Sequence, residues 1–126
     1  RLIQAQADYA EKGVQLLAIN ANNAVTHPGD NFDAMKQRAQ EQGFNFPYLR
    51  DESQEVAHAY GAERTPEIFL FDQSGKLQYH GAPDDNYEDP DAVQQTYFRD
   101  ALDAVLAGET PALAQTAPQG CTIKWK

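Results

Sequence analysis

Tyr60-Gly61-Ala62-Glu63-Arg64-Thr65-Pro66-Glu67-Ile68-Phe69-Leu70-Phe71-Asp72 is the stretch on which the fold turns. Ile68 and Leu70 point one way along an extended chain, and Phe69 and Phe71 point the other. A strand apolar on both faces is normally covered on both sides, as in an α/β sheet. Gly61 is suited to close a helix at the position where a left-handed residue is common. Downstream, Asp72-Gln73-Ser74-Gly75 reads as a turn, with Gly75 free to take positive φ. The chain then returns through residues 76–81, with Leu77 and Tyr79 on one face and Lys76, Gln78 and His80 on the other. That alternation fits a strand with one solvated face.

Upstream, residues 1–12 read as a helix, since Leu2, Ala5 and Tyr9 with Ile3, Ala7 and Ala10 form adjacent apolar rows. No N-cap residue precedes Leu2, so the helix is expected to begin in mid-turn. Residues 14–20 follow as a second two-sided strand, with Val14, Leu16 and Ala18 against Leu17 and Ile19. Asp30 is the expected N-cap of the next helix, which has Phe32, Met35 and Ala39 as its buried stripe and stops at Gly43. Residues 44–49 are a short extended piece. Asp51 with Gln54 three residues on has the form of a capping box, opening a helix through Tyr60. Beyond an acidic loop at residues 82–94, Tyr97, Phe98, Ala101, Leu102, Val105 and Leu106 mark an amphipathic helix that Gly108 ends.

The 126 residues suffice for one domain with a real core. Nineteen acidic against ten basic residues give a net charge of −9, which repels phosphate backbones and anionic lipid. Neither nucleic acid nor a membrane is therefore an expected partner. Cys121 is the single cysteine, so an intrachain disulfide and a cysteine-rich zinc site are both ruled out.

The order helix, buried strand, helix, short helix, Thr-Pro, hairpin, helix resembles the C-terminal course of a thioredoxin fold. Residues 60–72 with Ser74-Gly75-Lys76-Leu77, the run Phe46-Pro47-Tyr48-Leu49, and the ending Gly120-Cys121-Thr122-Ile123-Lys124-Trp125-Lys126 resemble the AhpC/TSA-type redoxins. The likeness is to their peroxiredoxin-like or thiol-disulfide-isomerase-like branch. It implies an α/β, thioredoxin-like domain over residues 1–108 that lacks its N-terminal strands and active-site segment, followed by an extended tail at 109–126. It implies thiol-disulfide oxidoreductase or peroxide reductase (antioxidant) activity in the complete form, with no cofactor. It also implies a cis bond before Pro66, although only about 5–6% of X-Pro bonds in folded proteins are cis.

In such redoxins the nucleophilic thiol precedes the first helix, where a helix N-terminus makes it reactive. The chain is expected to start inside or just after that helix, without the cysteine motif. The absent strands would lie between residues 14–20 and 67–72, leaving bare edges and apolar faces. A further segment or companion chain is therefore expected to complete the sheet, with a thiol or disulfide substrate or reductant protein as partner.

The resemblance makes Thr65 and Pro66 candidate substrate-binding residues, with the Thr65 backbone free to pair with an extended peptide. Asn20 and Asn22, at a strand C-terminus, are further candidates for the site, because α/β ligands bind there. Local turn-making is the competing role for both asparagines. Cys121 is a candidate resolving thiol, beside Lys124 and Lys126, or else an inert tail cysteine. His27, His58 and His80 read as ordinary surface histidines. The acidic loop lacks EF-hand spacing and reads as solvated charge, so no metal site is expected. The family often has Gly-Arg-Ile-Asp-Asp where this chain has Gly81-Ala82-Pro83-Asp84-Asp85, so that arginine has no match. The alternative reading is a redox-inert thioredoxin-fold module that binds peptides or proteins. The expected compartment, by default, is the cytoplasm.

Overall fold

The computed structural model describes residues 1–126, which fall into two compact units. The first comprises residues 1–62 with the C-terminal residues 123–126, and the second residues 63–122.

In the first unit, α1 (Leu2–Tyr9) buries Ala5, Gln6 and Tyr9 and runs through a 3-10 turn to Gly13. Only Ala18–Asn20 of the expected strand at residues 14–20 form a ladder, as β1. Its first residues are held by a side chain instead. The buried Gln6 amide donates to the Val14 carbonyl (3.0 Å) and accepts from the Leu16 N–H (2.6 Å), occupying them as a neighbouring strand would. β1 pairs in parallel with β2 (Tyr48–Arg50), Ile19 opposite Leu49. Those two side chains share one face and remain 44% and 45% exposed.

Two expected caps are corrected. Asn31, not Asp30, caps α2 (Phe32–Gln42), its side chain accepting from the Ala34 N–H at 2.8 Å. The Asp30 carboxylate is engaged elsewhere, by Asn20 and Asn22. Met35 is buried as expected, but Phe32 is 55% exposed, with the Lys36 ammonium over its ring. The Asp51/Gln54 capping box does not form, and α3 (Glu55–Tyr60) starts later. The Asp51 carboxylate instead accepts from the Ala57 N–H (2.8 Å), in the first turn of α3. Gln54 takes a left-handed conformation at φ 66°, and its buried side chain donates to the Ala21 and Lys124 carbonyls and accepts from the Lys126 N–H. Ala21, Ala57 and Ile123 pack together there, with Ala62 beside them.

In the second unit, β3 (Arg64–Thr65) is followed by β4 (Ile68–Phe71) and β5 (Leu77–Gly81), an antiparallel hairpin with a register shift between Leu70 and Phe71. The turn is organised by Asp72, which accepts from the Ser74 and Lys76 N–H groups, the Ser74 hydroxyl and the Gln78 amide. These bonds pull its carboxyl down to about 2. α4 (Tyr97–Leu106) presents Phe98, Ala101 and Leu102 to the core, where Tyr79 is wholly buried. Residues 109–122 then run back along the hairpin. Thr116 N–H donates to the His80 carbonyl and His80 N–H to the Ala114 carbonyl, and β6 (Cys121–Thr122) pairs antiparallel with β3. No helix is long and apolar enough to cross a membrane.

Candidate functional site

The β3–β6 ladder brings together three of the candidate residues. Its register sets Arg64 opposite Thr122 and Thr65 opposite Cys121. The Thr65–Pro66 peptide is cis. Thr65, Pro66 and Cys121 are all exposed. Gly120 makes the approach of the two strands feasible. A Cβ built on it would collide with the Thr65 carbonyl, and its φ of 131° disfavours other residues. The Arg64 guanidinium donates to the Gly120 carbonyl (3.0 Å), fastening the same crossing.

Behind this edge lies a buried carboxylate that the pattern of the sequence did not reveal. Glu67 directly follows Pro66, and its side chain is 3% exposed. One carboxylate oxygen accepts from the Glu63 and Arg64 N–H groups, both at 3.0 Å. The other lies 2.6 Å from His80 Nε2. Burial pushes the Glu67 carboxyl up, but the bonds from Glu63, His80 and Arg64 outweigh it and hold it below its ordinary range. An ionised carboxylate only accepts, so Nε2 carries the proton. His80 is thus not an ordinary surface histidine. Its ring stacks on Phe69, its register partner, at 4.4 Å. The signal that could have found the pair is that register, which sets His80 beside the strand entrance that Glu67 opens.

Asn20 and Asn22 stand in the first unit, in a polar cluster of their own. Asn20 donates to one Asp30 oxygen (2.9 Å) and Asn22 to the other (3.1 Å), while the Asn22 N–H donates back to the Asn20 side chain. Burial raises the Asp30 carboxyl, but these bonds and the Arg38 charge more than offset it and leave it lowered. Asn22 also accepts from the Lys124 N–H (2.8 Å), and Arg50 donates to the Asn20 and Asn22 carbonyls. Both amides are thereby engaged in shaping the loop after β1. His58 stacks on Trp125 at 4.3 Å, and His27 is exposed and meets Thr26. No group of three or more His, Cys, Asp or Glu side chains is arranged to hold a metal ion. At position 82, where the family often has arginine, Ala82 is almost wholly buried.

These features define the class as a thioredoxin-like α/β domain. Over 99% of its length the chain matches the crystal structure of an uncharacterized conserved protein from Geobacillus kaustophilus, with TM-score 0.92, 44% identity and 67% of that chain covered. It matches a hypothetical protein from Sinorhizobium meliloti 1021 at TM-score 0.92 and 40% identity, covering 99% of this chain and 69% of the other. The Redoxin family model matches residues 1–96, and the chain belongs to the Redoxin family. Among curated relatives, thiol-disulfide oxidoreductase ResA of Geobacillus thermodenitrificans is 34% identical over 70 residues. The protein of the same name from Bacillus anthracis is 32% identical over 69 residues. The matched stretch covers 56% and 55% of this chain and only 36% of either relative. A thioredoxin-like redox role follows at the level of the family, and a redox-inert binding module is not favoured.

Proposed function

We propose that the protein acts in thiol–disulfide exchange, with the Thr65–Pro66 edge receiving the disulfide-bearing segment of a partner and Cys121 serving as second thiol. The observation that carries this reading is the β3–β6 register, in which the chain's one thiol lies opposite Thr65. The likeness to the ResA proteins supports disulfide rather than peroxide as the substrate class. In the proposed cycle a thiolate from a segment outside these 126 residues attacks the partner's disulfide. A mixed disulfide forms and one partner thiolate leaves. The Cys121 thiolate then attacks the enzyme-side sulfur of that bond, closing an internal disulfide and releasing the second partner thiolate. Two electrons pass to the partner, and the protein is left oxidised by one disulfide.

The same outside segment is proposed to pair with the edge of β1 away from β2. The exposed Ile19–Leu49 face supports this, because apolar strand faces are seldom left open to water.

The test is insulin disulfide reduction by the natural gene product that carries this chain, run beside hydrogen peroxide consumption. Insulin turnover that falls at least tenfold in Cys121→Ser is the expected result. Peroxide consumption without insulin turnover would replace the reading with peroxide reduction. Full insulin turnover in Cys121→Ser would remove Cys121 from the cycle.

A further inference from the structure

We propose that Glu67 is a positioning residue for the Thr65–Pro66 edge, acting through the backbone of β3 rather than by touching substrate. This rests on the reading of that edge as the working one. Three features carry it.

Glu67 is placed at the exit of the edge, so its side chain can reach back over the two residues that lead in. Its Oε1 holds the Glu63 and Arg64 N–H groups, which β3 would otherwise leave to solvent. Its Oε2 holds His80 Nε2, and His80 is itself fixed by the Phe69 stack and by backbone bonds to Ala114 and Thr116. One carboxylate therefore ties the entrance of β3 to the hairpin and to the returning chain that leads into β6.

The choice of a carboxylate is chemically specific. A buried charge is retained only where it is paired and hydrogen-bonded, and here it accepts three N–H groups, each strengthened by its charge. Glutamine in its place would keep an acceptor for Glu63 and Arg64 but present a donor to the N–H of His80. Aspartate would fall short by one methylene.

Beyond these bonds the edge is held by the short β3–β6 ladder and by the Arg64 guanidinium on the Gly120 carbonyl. β3 is two residues long and exposed, and Gly120 contributes no side chain to it. A ladder this short leaves the bonds at its entrance a large share in setting its geometry.

The test is residue-resolved amide hydrogen exchange on the natural gene product that carries this chain, in wild type, Glu67→Gln and Glu67→Ala, with its insulin-reduction kinetics alongside. Exchange in the β3–β6 ladder is expected to quicken at least tenfold in Glu67→Ala and by a smaller factor in Glu67→Gln. Tyr79 and Leu102 should keep wild-type protection. KM for insulin should rise at least fivefold in Glu67→Ala, with kcat within twofold. Unchanged exchange in the ladder would overturn the proposal, as would equal acceleration at Tyr79 and Leu102, which marks a merely structural role. If Glu67→Ala does not fold, the same ladder and core amides in Glu67→Gln decide it. A wild-type protein that does not reduce insulin sinks the exchange reading, while the amide data still decide the role of Glu67.

Discussion

Tyr79 has one hydroxyl proton and gives it to the Ala82 carbonyl at 2.5 Å. Its oxygen is then left to accept from Thr116, 2.6 Å away, whose own oxygen accepts from the Ala82 N–H. Burial raises the Tyr79 hydroxyl, so it stays a neutral donor. Tyr79→Phe opens this closed set and leaves buried partners unmet, with an expected loss of about 1–2 kcal/mol in urea unfolding. The Gln54 side chain is a second such hub, bonded to Ala21, Lys124 and Lys126. Gln54→Ala should free residues 124–126 and break the His58–Trp125 stack. Trp125 is the only tryptophan, so a red-shifted emission and lower anisotropy would report it directly. Unchanged emission would show that the C-terminal residues are held by other means. Neither hub was legible beforehand. Gln54 read as half of a capping box because its true partners lie 33 to 72 positions away, where no local pattern reaches.

At the scale of elements, the reading from sequence held where periodicity carries the information. α4 was legible because its apolar positions repeat at helical spacing, and the hairpin because alternation and a Gly turn agree. It failed where a side chain stands in for backbone pairing, as Gln6 does for residues 14–16. Thr65 and Pro66 could be picked out in sequence, but the joining of β3 to β6 could not, since two-residue strands carry no pattern. Gly120→Ala tests that joining. The collision with the Thr65 carbonyl should abolish ladder protection in hydrogen exchange, and retained protection would show that the crossing yields. The hairpin and edge also contribute to the acid limb of stability. Glu67 is ordinarily near 4.5 and lies lower when folded, so on acidification the unfolded chain takes up its proton first. Its contribution is therefore complete above 4.5 and is lost as pH falls through the folded value. Asp72 behaves likewise between 3.8 and about 2. In urea midpoints followed from pH 6 to pH 2, the loss on acidification should be smaller than wild type below pH 4.5 in Glu67→Gln, and smaller between 3.8 and about 2 in Asp72→Asn.

At the scale of the whole molecule, three separate two-stranded ladders are little sheet for a chain with two-sided apolar strands. The exposed apolar face shared by β1 and β2 supports the proposed pairing of a further segment with β1. In the proposed cycle that segment carries the attacking thiolate. The central claim is that this chain shapes the partner-binding edge of a thiol–disulfide exchange protein and supplies its second thiol. Its most direct test is trapping the mixed disulfide. The natural gene product, with Cys121 replaced by serine, is mixed with an oxidised model peptide and read by intact mass. A stable adduct of protein and peptide, resolved to free thiol only when Cys121 is present, is the predicted result. An adduct that resolves equally fast without Cys121, or none at all, would contradict the account.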